Sequence, residues 1–127
     1  MLYVVGIGPG DSELLTLKAV RLLGEADAIA FEDPRSGVNP VTKMLRDLMR
    51  GKSLVPLYLP KTDDRALLEQ TLTEAARRLL EILELYPNVV FPVLGDPSED
   101  ETAQSLLAQL GGKHPCQVVP GIFRSRP

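Results

Sequence analysis

Residues 2–18 (LYVVGIGPGDSELLTLK) constrain the fold of this chain more than any other stretch. Leu2, Tyr3, Val4 and Val5 form a short apolar run, read as a buried strand. Gly6, Gly8, Pro9 and Gly10 follow, a turn that few side chains crowd. Asp11 or Ser12 then caps an expected helix with apolar positions at Leu15, Ala19 and Leu22, and with Leu14 and Leu23 beside them. Strand, glycine loop and helix in that order bring bare backbone N–H groups and a helix N-terminus up to a ligand. The same turn also serves tight strand-to-helix packing in α/β domains, so the local pattern leaves both readings open.

The rest of the chain repeats the alternation. The first helix is expected to stop at Gly24, and residues 27–31 (DAIAF) read as a second buried strand. Residues 32–37 (EDPRSG) read as a loop. Asn39 caps a helix with Pro40 at its first position, expected to run to about Arg50 before Gly51. Its apolar side carries Val41, Met44, Leu45 and Leu48, and another side carries Lys43, Arg46 and Arg50. Residues 54–59 (LVPLYL) make a third strand, and Pro56, which cannot donate to a ladder, puts it at a sheet edge or makes it irregular there. A long helix begins at Thr62 or Asp63 and reaches Leu85, with Leu68, Leu72, Ala75, Leu79 and Ile82 at spacings of three and four. Residues 89–94 (VVFPVL) form a fourth strand. Gly95-Asp96-Pro97 makes a second sharp turn, and Ser98 with Glu101 matches a capping box. The last helix uses Ala103, Leu106, Leu107 and Leu110 and ends at Gly111-Gly112. A short fifth strand, residues 117–119, leads into Pro120-Gly121-Ile122.

The expected fold is therefore a single α/β domain with a largely parallel five-stranded sheet flanked by about four helices. At 127 residues the chain is the size of one domain. Ligands of such sheets bind beyond the carboxyl ends of the strands, where both glycine turns fall. The net charge of −3 gives no general attraction to nucleic acid or to an anionic membrane, and neither is expected as a partner. A single cysteine, Cys116, rules out a disulfide within the chain and favours a cytoplasmic setting. No apolar stretch approaches the ~20 residues of a membrane span.

Other constellations carry less. Gly6-Ile7-Gly8 opens like a dinucleotide-binding fingerprint, and Glu32 lies near the place of a ribose-binding acid. The third glycine position, however, is Asp11, whose charge would face a pyrophosphate. No G-K-[ST] follows the loop, so a P-loop is excluded. His114 stands alone in a turn, and Cys116 is expected to be a small buried apolar residue. Glu99, Asp100 and Glu101 suit the positive end of a helix dipole. Lys43, Arg46 and Arg50 are most simply a solvated face; their functional reading is a docking site for an acidic ligand. No metal site is expected.

Residues 6–19 (GIGPGDSELLTLKA), with residues 25–31 (EADAIAF), resemble the opening of the tetrapyrrole methylases, G-x-G-P-G-D-x-x-L-L-T-L-K-A. The family's second signature, a G-D-P turn, is Gly95-Asp96-Pro97, and its third, V-P-G-[IV], is Val119-Pro120-Gly121-Ile122. The middle of the chain is most similar to enzymes that methylate C20 of precorrin-2 or cobalt-factor II. Enzymes acting on other corrin carbons, on uroporphyrinogen and on diphthamide share the three motifs. The resemblance implies an S-adenosylmethionine-dependent methyltransferase of cobalamin synthesis, which acts on a reduced tetrapyrrole without a metal. It implies cofactor contacts at Pro9, Gly95, Asp96 and Gly121, and substrate contacts at Gly8, Pro9, Gly10 and Asp11; it names no catalytic residue. It further implies that residues 1–122 are the N-terminal α/β domain and that residues 123–127 begin a linker to a C-terminal domain or partner subunit, in a homodimer. The alternative is a shortened, non-catalytic module that binds a tetrapyrrole or a partner. Glu32, Glu99, Phe123 and Arg124 depart from the family pattern, and no family contact is carried over to them.

Overall fold

In the computed structural model, residues 1–35 and 39–124 are described. Five strands alternate with four helices: β1 (Leu2–Gly6), α1 (Leu17–Glu25), β2 (Ala28–Asp33), α2 (Pro40–Leu45), β3 (Ser53–Tyr58), α3 (Arg65–Leu85), β4 (Val89–Val93), α4 (Glu101–Leu110) and β5 (Cys116–Val119). All strand pairs are parallel, in the order β3-β2-β4-β1-β5. The expected fold class is thus what the chain adopts.

The order moves one way from β1 through β2 to β3 and the other way from β3 through β4 to β5. Right-handed crossovers put such opposed connections on opposite faces of a sheet. Accordingly, α3 and α4 cover one face, where Leu79, Ile82, Leu106 and Leu110 pack on Leu2, Val4, Ala30, Val89, Phe91 and Val93. On the other face α1 and α2 bring Ala19, Leu22, Leu23, Val41 and Leu45 onto Val5, Ile7, Ile29, Phe31 and Val90. Burial on both faces is why the central strands read as unbroken apolar runs. Pro56 lies on β3, which is an edge strand, so of the two expected outcomes the edge is the one adopted.

Several local expectations are corrected. Asp11 caps only a 3-10 turn, Ser12–Leu14; the chain is extended at Leu15, and α1 starts afresh behind Thr16, whose hydroxyl accepts from Ala19 N at 3.0 Å. A second capping side chain inside the apolar pattern splits the expected helix in two. Gly24 does not end α1 but sits inside its last turn. β2 runs on through Glu32 and Asp33, where the sequence predicts a loop; Ser36 and Gly37 of that loop lie outside the described residues. The α-helical part of α2 ends at Leu45, and turns continue to Gly51. α3 is capped by Asp64, just past the expected start. The capping box is Asp96 with Glu99 rather than Ser98 with Glu101, and α4 is capped by Asp100. Cys116 is exposed, not buried, because β5 forms the other edge of the sheet.

Candidate functional site

Three turns meet at the carboxyl end of the sheet. Beyond β1 and β4, Gly8 and Gly95 form an antiparallel bridge, with Gly8 N donating to Gly95 O at 3.2 Å and Gly95 N to Gly8 O at 2.8 Å. Both have φ above +70°, a conformation that side chains disfavour. Gly121 lies against the same corner. A Cβ on Gly6 would sit 2.6 Å from both Gly121 N and Gly95 O, so the three backbones touch where only hydrogen atoms fit.

Asp96 ties the second turn to the third. Its Oδ1 accepts from Gly121 N at 3.0 Å, and its Oδ2 accepts from Ser98 N at 3.0 Å and Ser98 Oγ at 2.6 Å. Burial works against its charge, but the bonds from Ser98 and Gly121 outweigh burial and hold the carboxyl below its ordinary value. Glu99 Oε1 accepts from Asp96 N at 3.2 Å and from Arg124 N at 2.7 Å. Glu99 and Arg124 therefore fold over the Gly95 corner.

The loop of Pro9, Gly10 and Asp11 stands apart, exposed to solvent. A Cβ on Gly10 would meet nothing within 4 Å. Of the residues singled out in the sequence, Gly8, Gly95, Asp96 and Gly121 are thus brought together, while Pro9, Gly10 and Asp11 form an open lip beside them.

A second feature lies one strand away. β4 pairs with β1 along its whole length, but with β2 only at Val89 and Val90. Val93 O accepts from Ile7 N on the β1 side, so an amide at position 92 would point toward β2. That residue is Pro92, with nothing to donate. The carboxyl ends of β2 and β4 part there and leave a cavity of about 200 Å3, whose wall includes Glu32, Lys61, Pro92, Asp100 and Arg124. Glu32 Oε1 is buried and meets no hydrogen-bond partner among the described residues. Burial, then the charge and hydrogen bond of Asp100, push the Glu32 carboxyl up to about 8, against the pull of Arg124 and Lys61. No sequence motif singles out the pair of Glu32 and Asp100. An acid ending a buried apolar strand (AIAFED) was the available signal.

Among the described residues no group of three His, Cys, Asp or Glu could hold a metal ion, and no helix is long and apolar enough to cross a membrane. Cys116 has a thiol pushed up by partial burial.

Comparison with known proteins matches this chain to a family. The chain is 34% identical over 123 residues to a diphthine synthase of Pyrobaculum calidifontis, covering 96% of this chain and 44% of the relative. It is 32% identical over 127 residues to a precorrin-2 C(20)-methyltransferase of Sinorhizobium, covering 93% and 52%. It superposes with a TM-score of 0.70, at 32% identity, on the uroporphyrin-III C-methyl transferase of Thermus thermophilus solved with S-adenosylhomocysteine, covering 96% of this chain and 48% of that one. The chain spans about half the length, or less, of these relatives. The family model for tetrapyrrole (corrin/porphyrin) methylases matches residues 1–123, and the chain belongs to that family.

Proposed function

We propose that this chain is the N-terminal half of an S-adenosylmethionine-dependent methyltransferase that acts on a reduced tetrapyrrole of the precorrin-2 kind in cobalamin synthesis. The observation that carries the reading is the meeting of the three family signatures at one corner, through the Gly6, Gly95 and Gly121 backbones and the Asp96 bond to Gly121. A backbone stripped of Cβ atoms at the carboxyl end of a parallel sheet suits close approach of a flat, polar ligand. Residues 1–122 would be one domain of the enzyme, with a C-terminal domain or partner subunit completing the site and a homodimer as the assembly. Exposed apolar side chains around β5, Val118, Ile122 and Phe123, are compatible with such a partner.

When bound, S-adenosylmethionine supplies an already electrophilic methyl group. The chain's own work is placement and exclusion of water. Gly95 and Gly121 would line the cofactor, and Asp96 would hold both turns in register, since its oxygens are engaged within the protein. Pro9 would lie between cofactor and substrate, and Gly8, Gly10 and Asp11 would face the substrate. Glu32, with a pKa of about 8 and an unpartnered Oε1, is able to hold or release a proton near neutral pH beside this corner.

Calorimetric titration with S-adenosylhomocysteine tests the reading. Micromolar binding to the 127-residue chain, lost in Asp96→Ala and kept in Lys113→Ala, is the expected result. A chain that melts cooperatively yet takes up no ligand at millimolar concentration would sink it. One observation favours a second reading, a non-catalytic module of the same fold: Glu99 and Arg124 cover the Gly95 corner. Under that reading Glu99→Ala would leave the titration flat; under the first it would raise affinity.

A further inference from the structure

The strongest feature outside that corner is a groove along α2. It has a volume of about 530 Å3, within the range of small-molecule sites. Its wall is Asn39, Thr42, Lys43, Arg46, Arg50 and Leu54, with Met49 behind. Three cations and no acid line it, in a chain whose acids outnumber its bases by 17 to 14. Leu54, on the edge strand β3, leaves half of its surface exposed and gives the groove an apolar floor. Arg50 pairs with Asp47 at 3.3 Å, but both side chains are largely in solvent, where such a pair is worth little. Lys43 and Arg46 form no ion pair with any described residue.

The groove does not stand alone. Lys43 also walls a neighbouring hollow of about 370 Å3, together with Gly10, Ser12, Pro40 and Met44. A continuous path therefore leads from the open glycine lip, across Lys43, to Arg46 and Arg50. Lys43 lies in α2, Arg46 at its C-cap and Arg50 in the turns beyond, and together they form one cationic stripe along the groove wall. One phosphate would engage only part of such a stripe. A ligand with several carboxylates spread around an apolar body would engage all of it, because guanidinium groups pair with carboxylates in a two-pronged fashion.

We propose that Lys43, Arg46 and Arg50 form a docking site for peripheral carboxylates of the substrate, with its apolar body over Leu54 and its reacting part toward Gly10. This rests on the tetrapyrrole reading above. It makes α2 and the turns that follow it a specificity element: affinity rises with the number of carboxylates on the ring and falls with salt.

Fluorescence titration with uroporphyrin III, and with coproporphyrin III, which carries half as many carboxylates, tests it on the 127-residue chain. Uroporphyrin is expected to bind at least tenfold tighter than coproporphyrin. The charge-reversed variant K43E/R46E/R50E is expected to lose at least tenfold in uroporphyrin affinity, R46E alone about threefold, and Lys113→Glu, at the end of α4, nothing. All altered side chains are solvent-accessible, and an unchanged melting profile confirms folding. The S-adenosylhomocysteine titration of the triple variant should match the parent. Equal affinity of parent and triple variant for uroporphyrin overturns the proposal and leaves the methyltransferase reading standing. A parent chain that binds S-adenosylhomocysteine but neither porphyrin overturns it too, as does binding of an RNA oligonucleotide in place of porphyrin. Failure of the parent to bind S-adenosylhomocysteine strikes the underlying reading instead.

Discussion

The two flanks of β4 end differently. Toward β1 the pairing continues past the strands and closes through the Gly8–Gly95 bridge. Toward β2 it stops after Val90, and the sheet opens into a cavity. Each flank buries one carboxyl group, and the two shift in opposite directions. Asp96, on the closed side, accepts from two backbone amides and a hydroxyl and stays charged to low pH. Glu32, on the open side, has an unpaired oxygen and an acidic neighbour, and holds its proton to about pH 8. Depth alone does not set the charge of a buried acid. The backbone donors that reach it do, and these follow from where strand pairing continues.

The comparison breaks most readily on the closed side. Gly6→Ala drives a Cβ into the Gly121 amide and the Gly95 carbonyl, which are backbone atoms that cannot swing away. We expect a loss of about 3 kcal/mol or more in urea unfolding, at the upper end of overpacking costs. Gly10→Ala, in the loop that follows, meets open space; its cost is limited to the strain of a φ of +117°, roughly 1–3 kcal/mol. Equal losses for the two would mean that the glycine contact does not hold the corner together.

A comparable effect at high pH, vanishing at low pH, is expected on the open side. The folded Glu32 binds its proton more tightly than the unfolded chain, for which the ordinary value is 4.5. Between about pH 4.5 and 8 the folded state therefore carries more protons, and stability falls as pH rises through that window. Glu32→Gln removes the titration. Unfolding curves should show the variant gaining on the parent across the window, by on the order of 2–4 kcal/mol at pH 8. Asp96 has the opposite sign: its contribution is present above the ordinary carboxylate range and is lost as pH falls through its lowered value. A parent whose stability relative to Glu32→Gln does not change between about pH 5 and pH 8 would remove the contrast.

The smallest change should come from Pro92→Val, which restores an amide on the β2 side. We expect a stability change within about 1 kcal/mol. In hydrogen exchange the new amide at position 92 should be protected if proline alone keeps the strands apart. Rapid exchange would show that the split is built into the backbone of β2 as well.

Much of this was legible beforehand, for stated reasons. Strands buried on both faces announce themselves as apolar runs, and Pro56 narrows β3 to an edge or an irregular strand, of which the sheet adopts the edge. The three glycine turns are visible as motifs, and the rule for carboxyl ends of parallel sheets brings the first two to one crevice; that Gly121 joins them shows only in the fold. Local caps were read less well. Thr16 and Asp96 each compete with nearby residues able to cap, and the sequence does not rank them. The Glu32–Asp100 pair was hidden because its members are 68 positions apart and on different layers of the fold. Pro92 is visible in residues 89–94 (VVFPVL), but its consequence depends on which neighbour its missing amide would have faced.

The strand order also has a consequence for how the chain becomes folded. β1 and β2 are successive in sequence yet not adjacent, because β4 lies between them. Leu2 pairs with Val89, and Ala28 pairs with the same residue from the other side. Of the first four strands, only β2 and β3 are neighbours both along the chain and in the sheet. During synthesis, β1 must wait unpaired until residues 89–93 emerge, and closing so long a loop is slow. Insertion of a late strand between two early ones should make collapse of this sheet a single cooperative event, with β4 as its central piece.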